Sequence, residues 1–226
     1  TFKNLKCIIS LGSGIDHILC DPDLPKGIPI IKTTGEDLKI RMREYVVLHV
    51  LKHHRSLPAV IEARNTNQWK QIIEPPANKR TIGIMGLGNL GLDCAKALKN
   101  LGFKINGWSN SKKNIDGIIT FTGKKELPKF LKKIDILVCM LPLTAKTKGI
   151  LNLELFSKVE KEFCLINVAR GEHLVDEDLL KALENKIIKE ATLDVFHIEP
   201  LPVEHAFWKN PKIFITPHIA SLLDPE

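Results

Sequence analysis

This 226-residue chain has no apolar run approaching the ~20 residues that a transmembrane helix needs. No signal peptide is visible either: Thr1–Lys6 leads into a short strand-like run, Cys7-Ile8-Ile9-Ser10, and then a glycine turn. Cysteine is sparse. Cys7, Cys20, Cys94, Cys139 and Cys164 are odd in number and form no CxxC pair, and three of them sit in apolar strand-like runs. Buried, reduced thiols are the expected state, as in a reducing cytoplasm. Long basic runs and interleaved aromatics are also lacking. The net charge of +7 comes from scattered pairs such as Lys112-Lys113, Lys124-Lys125 and Lys132-Lys133. Such pairs are solvated faces rather than a nucleic-acid surface, so neither nucleic acid nor membrane is expected as a partner. There are no repeats and no low-complexity tract. His17, His49, His53, His54, His173, His197 and His205 are read as structural or solvated, with no spacing that argues for a metal. With 44% hydrophobic and 26% charged residues, the composition is that of a globular protein of one large or two small domains.

The centre of the chain alternates strands and helices. Thr81–Gly86 is a short apolar strand. Leu90–Leu101 has helical periodicity through Leu90, Cys94, Ala97, Leu98 and Leu101, and Gly102 stops it. Further strands are predicted at Lys104–Trp108, Ile134–Met140, Phe163–Val168, Ala191–Val195 and Ile213–Thr216, with a short helix at Asp176–Leu183. Such alternation predicts an α/β fold, a Rossmann-type doubly wound parallel sheet, with ligands bound beyond the carboxyl ends of its strands. The segment before Lys79 differs. It holds two strand candidates, around Lys6–Ser10 and Ile28–Lys32, then a helix over 37–55 whose apolar side is Tyr45, Val46, Leu48, His49 and Leu51. Two strands make no independent core, so the first ~35 residues are expected to be part of a second, incomplete domain.

Gly86-Leu87-Gly88-Asn89-Leu90-Gly91 follows a strand and opens a helix, the context in which GxGxxG binds a dinucleotide. Gly86 permits the tight turn, Gly88 lets the pyrophosphate approach the backbone, and Gly91 allows close helix–strand packing. The helix N-terminus then faces the phosphates. What is absent at the end of the next strand is equally informative. An NAD site places Asp or Glu there, but this chain has Trp108-Ser109-Asn110-Ser111-Lys112-Lys113. Hydroxyls, an amide and two ammonium groups suit a 2′-phosphate, so NADP(H) is favoured, with NAD(H) as the alternative.

Three later residues say what is done with the dinucleotide. Arg170, past the strand ending at Val168, offers a planar fork for a carboxylate. His218, in Thr216-Pro217-His218-Ile219-Ala220, can give or take a proton. Glu199, in the rigid Glu199-Pro200-Leu201-Pro202 turn, can fix the tautomer of that imidazole and favour its charged form. Beside a nicotinamide, this set reduces a 2-oxo acid to a 2-hydroxy acid. Asp194, in Leu193-Asp194-Val195, is placed to accept a hydrogen bond from the nicotinamide carboxamide, and a cap or turn role is the alternative.

These runs, together with Leu11–Asp16, Leu141-Pro142-Leu143-Thr144, Asn167–Gly171 and Leu193–Phe196, resemble the D-isomer-specific 2-hydroxyacid dehydrogenases from about Leu5 to the end of the chain. Within that family the chain is most similar to the bacterial glyoxylate/hydroxypyruvate reductase A group, pointing to NADPH-dependent reduction of glyoxylate and hydroxypyruvate. Phosphoglycerate- or lactate-type dehydrogenases and a non-catalytic dinucleotide-sensing regulator are the alternatives. The resemblance implies a partial, flavodoxin-like substrate domain over residues 1–36, the NAD(P)-binding domain with a dimerisation helix over 37–218, and a return to the substrate domain over 219–226. It also implies a homodimer through the helix around Tyr45–His54. Arg170 would hold the substrate carboxylate, His218 would donate the proton and Glu199 would support it. Backbone N–H groups at Ser13, Gly14 and Ile15 would help bind the carboxylate. Gly88, Asn89 and Leu90 would face the pyrophosphate, and Ser109, Ser111 and Lys112 the 2′-phosphate. Leu141, Pro142, Val168, Ala169 and Asp194 would line the adenine-ribose and nicotinamide sides, with Arg170 and His218 also reaching the cofactor.

Overall fold

The structure, a computed structural model, describes residues 4–10, 14–32 and 35–223, apart from the side chains of Asp16 and His17. Two short parallel strands, β1 (Ile8–Ser10) and β2 (Ile30–Lys32), flank α1 (Asp16–Leu19). Helices α2 (Glu36–His54) and α3 (Leu57–Asn65) follow. Then come β3 (Thr81–Met85), α4 (Asn89–Asn100), β4 (Lys104–Ser109), β5 (Ile119–Thr122), α5 (Gly123–Leu131), β6 (Ile136–Cys139), α6 (Leu153–Phe156), β7 (Phe163–Asn167), α7 (Asp176–Glu184), β8 (Ile188–Leu193) and β9 (Ile213–Ile215).

The seven strands from β3 onward form one sheet in the order β5-β4-β3-β6-β7-β8-β9, all parallel. Numbered from β3, that is 3-2-1-4-5-6 with one strand added, the order of a dinucleotide-binding sheet. Strand order reverses between β3 and β6, which opens a crevice at their carboxyl ends. Strand residues alternate between two cores. Ile136, Val138 and Ile166 pack with Val46, Val50, Cys94 and Leu98 of α2 and α4 on one face. Leu137, Cys139 and Leu165 pack with Phe130, Phe156 and Leu183 of α5, α6 and α7 on the other. Burial on both faces explains why these strands are continuous apolar runs.

The doubly wound sheet expected from the sequence is present. The strand expected at Ala191–Val195 instead runs Ile188–Leu193, so Asp194 lies just past its end, where the chain turns. β5, α5 and α3 were not anticipated: Pro128 sits inside α5, and Pro58 opens α3. The apolar side of α2 also needs correction. Tyr45, Val46 and His49 are buried, but Leu48 and Leu51 are exposed, and the inward face is completed by Leu38, Met42, Val50 and His53. α2 carries apolar residues on two faces, and the sequence pattern does not say which one this chain covers.

Candidate active site

The carboxyl ends of six strands lie in register. Met85 pairs with Trp108 on one side and Cys139 on the other; Cys139 pairs with Asn167, Asn167 with Leu193, and Leu193 with Ile215. Gly86, Ser109, Met140, Val168, Asp194 and Thr216 are therefore the next residues along one edge. Neighbouring strands are about 4.8 Å apart, so β7 and β9, which carry Arg170 and His218 on their outgoing loops, are separated by only about two strand spacings.

The glycine loop spans the crevice between β3 and β6. Gly86 has φ +106°, and a Cβ there would meet the Met140 carbonyl oxygen at 2.5 Å. A Cβ on Gly91 would lie 1.8 Å from the Gly86 carbonyl oxygen, whereas a Cβ on Gly88 would meet nothing within 4 Å. Gly88 is the N-cap of α4 and supplies no side-chain cap. The first-turn N–H groups of Asn89, Leu90 and Gly91 have no partner within the helix and carry the positive end of its dipole. Gly88 and Asn89 are exposed there. An open helix N-terminus behind a glycine with space over its Cα is a cradle for a pyrophosphate.

At the end of β4, the Ser109 hydroxyl is buried and donates to the Ser111 carbonyl at 2.7 Å, which curls the loop. Ser111 and Lys112 are exposed on that loop. Leu141, Val168 and Ala169 are buried with their side chains in the cores, so they present backbone to the crevice, while Pro142 is exposed. Gly14 and Ile15 sit half-buried between β1 and α1. Ser13 lies outside the described residues.

Arg170 is fixed by the polar groups around its backbone. Asn167 donates to the Arg170 carbonyl at 3.0 Å and accepts from the Ala169 N–H at 3.2 Å. The Arg170 N–H donates to His173 Nδ1 at 3.2 Å, and His173 Nε2 lies 3.3 Å from the Pro142 carbonyl. Nδ1 also lies 3.2 Å from the Arg170 carbonyl, but the Arg170 N–H can only donate, so Nδ1 accepts from it and Nε2 carries the proton toward Pro142. Burial pushes the His173 pKa down, which keeps the ring in that neutral form. The Arg170 guanidinium donates from Nη1 to the Ala169 carbonyl at 2.7 Å. His173 thus ties the Arg170 loop to the Pro142 loop. The sequence treated it as structural or solvated, and its link to Pro142 across 31 residues leaves no trace in local spacing.

His218 and Glu199 meet. His218 Nδ1 lies 2.7 Å from Glu199 Oε2, and Glu199 Oε1 accepts from the Phe196 N–H at 2.9 Å. With the Glu199 carboxylate as acceptor, Nδ1 carries a proton in both forms of the ring, and Nε2 is the nitrogen that gains or gives one. Both side chains are part-exposed, as a substrate-facing pair must be. Gly171 brings the Arg170 loop against this one: a Cβ on it would stand 1.9 Å from the Phe196 carbonyl carbon. Asp194 is 1% exposed. Its carboxylate accepts from Thr216 Oγ1 at 2.6 Å, the Ile219 N–H at 2.9 Å and the Ala220 N–H at 2.9 Å. Burial raises its pKa, and these bonds to the charged form oppose the rise. Three of about four lone pairs are taken, so the turn role is filled.

One titratable group elsewhere arises only from tertiary approach. His53 of α2, Cys164 of β7 and Glu190 of β8 each place one ligand-type atom within 4.8 Å of the others. His53 is already bonded through Nδ1 to Glu190 at 3.1 Å and through Nε2 to Thr192 at 3.0 Å, with the Lys52 ammonium 3.2 Å from Thr192 Oγ1. It is an internally paired polar cluster under α2.

Residues 47–220 match the NAD binding domain of the D-isomer specific 2-hydroxyacid dehydrogenases, more than half of the chain. The chain belongs to the D-isomer specific 2-hydroxyacid dehydrogenase family. Among relatives in this family, the glyoxylate/hydroxypyruvate reductase A of Yersinia enterocolitica is 40% identical over 98% of this chain and 72% of its own length. That of Serratia proteamaculans is 39% identical over the same shares. A dehydrogenase of the family from Xanthobacter autotrophicus, solved with NADPH and MES, superposes with a TM-score of 0.95 at 37% identity, covering 98% of this chain and 70% of that one. The NADPH-dependent glyoxylate/hydroxypyruvate reductase of Sinorhizobium meliloti, solved with NADP and sulfate, superposes with a TM-score of 0.93 at 39% identity, covering 96% and 70%.

Proposed function

We propose that this chain is an NADPH-dependent reductase of small 2-oxo acids, converting glyoxylate to glycolate and hydroxypyruvate to D-glycerate. The observation that carries it is the Glu199–His218 bond at the same strand edge as Arg170 and the uncapped, glycine-opened α4. The similarity to reductases solved with NADPH or NADP supports the choice of cofactor.

NADPH, when bound, supplies the hydride. The α4 N-terminus would hold its pyrophosphate, and Ser111 and Lys112 its 2′-phosphate, with Ser109 shaping their loop. The Arg170 guanidinium would hold the substrate carboxylate and polarise the carbonyl, aided by backbone N–H groups at Ser13, Gly14 and Ile15. Glu199 accepts from Nδ1–H of His218, so that Nε2 would face the substrate; in the imidazolium form the Nε2 proton would pass to the carbonyl oxygen as the hydride arrives, leaving the neutral Nδ1–H ring. Asp194 is the residue that would accept from the nicotinamide carboxamide.

Residues 1–36 would contribute the substrate side and 37–218 the cofactor side, with 219–226 leading back. Leu48 and Leu51 of α2 and Leu57, Val60 and Ile61 of α3 are exposed together, and a second copy is the partner we assign to them. No helix among the described residues is long and apolar enough to cross a membrane. Cys94, Cys139 and Cys164 are buried free thiols, as a reducing cytoplasm would keep them, whereas Cys7 is half-buried and Cys20 exposed, against the expectation of buried thiols.

Arg170→Ala tests the assignment. The KM for glyoxylate should rise at least ~10-fold, as expected for loss of a charge-assisted pair, while NADPH affinity holds. An unchanged KM would remove Arg170 from substrate binding.

A further inference from the structure

His218 stands on a left-handed backbone, φ +54°. Non-glycine residues hold that conformation only where the surroundings over-determine it. Here the surroundings are largely one residue. The Asp194 carbonyl accepts from the His218 N–H at 2.9 Å, and its carboxylate takes the next two N–H groups, of Ile219 and Ala220. The same carboxylate accepts from Thr216 Oγ1. The turn that presents the imidazole is therefore wrapped around Asp194.

Thr216 in turn meets Tyr45 of α2, 171 residues earlier in the chain, with 2.5 Å between the oxygens. Thr216 has one hydroxyl proton, and a carboxylate only accepts, so that proton goes to Asp194. Thr216 can then only accept from Tyr45, and the phenol is the donor. Burial pushes the phenol pKa well above its ordinary range, so it stays protonated and able to donate. The Tyr45 ring is packed against His49, centroids 4.2 Å apart, and His49 against Phe214 of β9 at 5.4 Å.

We infer that Tyr45 and Thr216 are positioning residues for the proton donor: a one-way chain, Tyr45 O–H to Thr216 Oγ–H to Asp194, that aims the carboxylate at the His218 turn. The inference rests on the reductase function proposed above only for its kinetic consequence; its structural part stands alone.

Tyr45→Phe, Thr216→Val and Thr216→Ser test this, with Val46→Ala as a control that opens a cavity on the same helix without touching the chain. Two readouts are needed: backbone amide hydrogen exchange at residues 218–220, and kcat and KM with glyoxylate and NADPH. Tyr45→Phe and Thr216→Val should speed exchange at 218–220 and lower kcat by about 3- to 10-fold, the worth of one buried hydrogen bond, with KM little changed. Thr216→Ser should restore most of both. Val46→Ala should lower the melting temperature and leave both where they are. Unaltered exchange in Tyr45→Phe and Thr216→Val would overturn the inference, as would faster exchange with kcat unmoved or the whole effect in KM. Should the wild-type chain reduce neither substrate, the reductase function fails, and the exchange data alone decide whether the chain holds the turn.

Discussion

Gly91 lies so close to Gly86 that a Cβ on it would stand 1.8 Å from the Gly86 carbonyl oxygen. Three residues earlier, a Cβ on Gly88 would meet nothing. The two glycines of one fingerprint are therefore glycine for different reasons: Gly91 so that α4 can pack on its own entering loop, and Gly88 so that a ligand can approach. Gly91→Ala should destabilise the fold by about 1–3 kcal/mol, the usual cost of overpacking. Gly88→Ala should leave the melting temperature unchanged and weaken NADPH binding. Thermal melts of the apoprotein with fluorescence titrations of NADPH separate the two, and equal effects of both substitutions on stability would contradict the distinction.

The His218 imidazole is oriented by Glu199, and Nε2 is the nitrogen free to act. His218→Ala should cut turnover by the ~10²–10⁴ expected for a general acid while NADPH binding holds. Turnover within a few-fold of wild type would take His218 out of the mechanism.

Cofactor selectivity is assigned to the exposed Ser111 and Lys112, while Ser109 is occupied with shaping their loop. Lys112→Glu should repel a 2′-phosphate and lower kcat/KM for NADPH while sparing NADH, so that the ratio of the two shifts toward NADH. A ratio that does not move would place 2′-phosphate recognition elsewhere.

His49 is buried between Tyr45 and Phe214, its Nδ1 has no partner among the described residues, and burial pushes its pKa down to about 4. In the unfolded chain it protonates near its ordinary 6.5. Between those values the unfolded state binds the extra proton. The stability this histidine contributes is therefore complete above pH 6.5 and is lost as pH falls toward 4. Burial lowers His53, His54 and His173 in the same direction. The melting temperature should drop between pH 7 and pH 5, and His49→Leu should flatten part of that drop. An identical pH slope in the variant would contradict a neutral, buried His49.

Much of the fold was legible because parallel strands buried on both faces read as unbroken apolar runs, and because Gly86, Gly88 and Gly91 mark a strand-to-helix turn by steric need. β5 was legible in principle: Ile118-Ile119-Thr120-Phe121-Thr122 is β-branched and aromatic, and the strand order requires a third strand beside β4. What could not be read is what depends on distant approach. Nothing near Tyr45 points to Thr216, and nothing near His173 points to Pro142. Asp194 shows the middle case: its place at a strand end was evident, but only the fold reveals that its carboxylate is already holding the turn that carries His218. The exposed face of α2 was misassigned because Leu48 and Leu51 are as apolar as the residues that this chain buries.

The most direct test is to follow oxidation of NADPH by the wild-type chain with glyoxylate and with hydroxypyruvate, running NADH and the His218→Ala variant in parallel. The structure predicts turnover of both acids, preference for NADPH, and loss of that turnover in the variant. NADPH bound tightly with neither acid reduced would contradict the account.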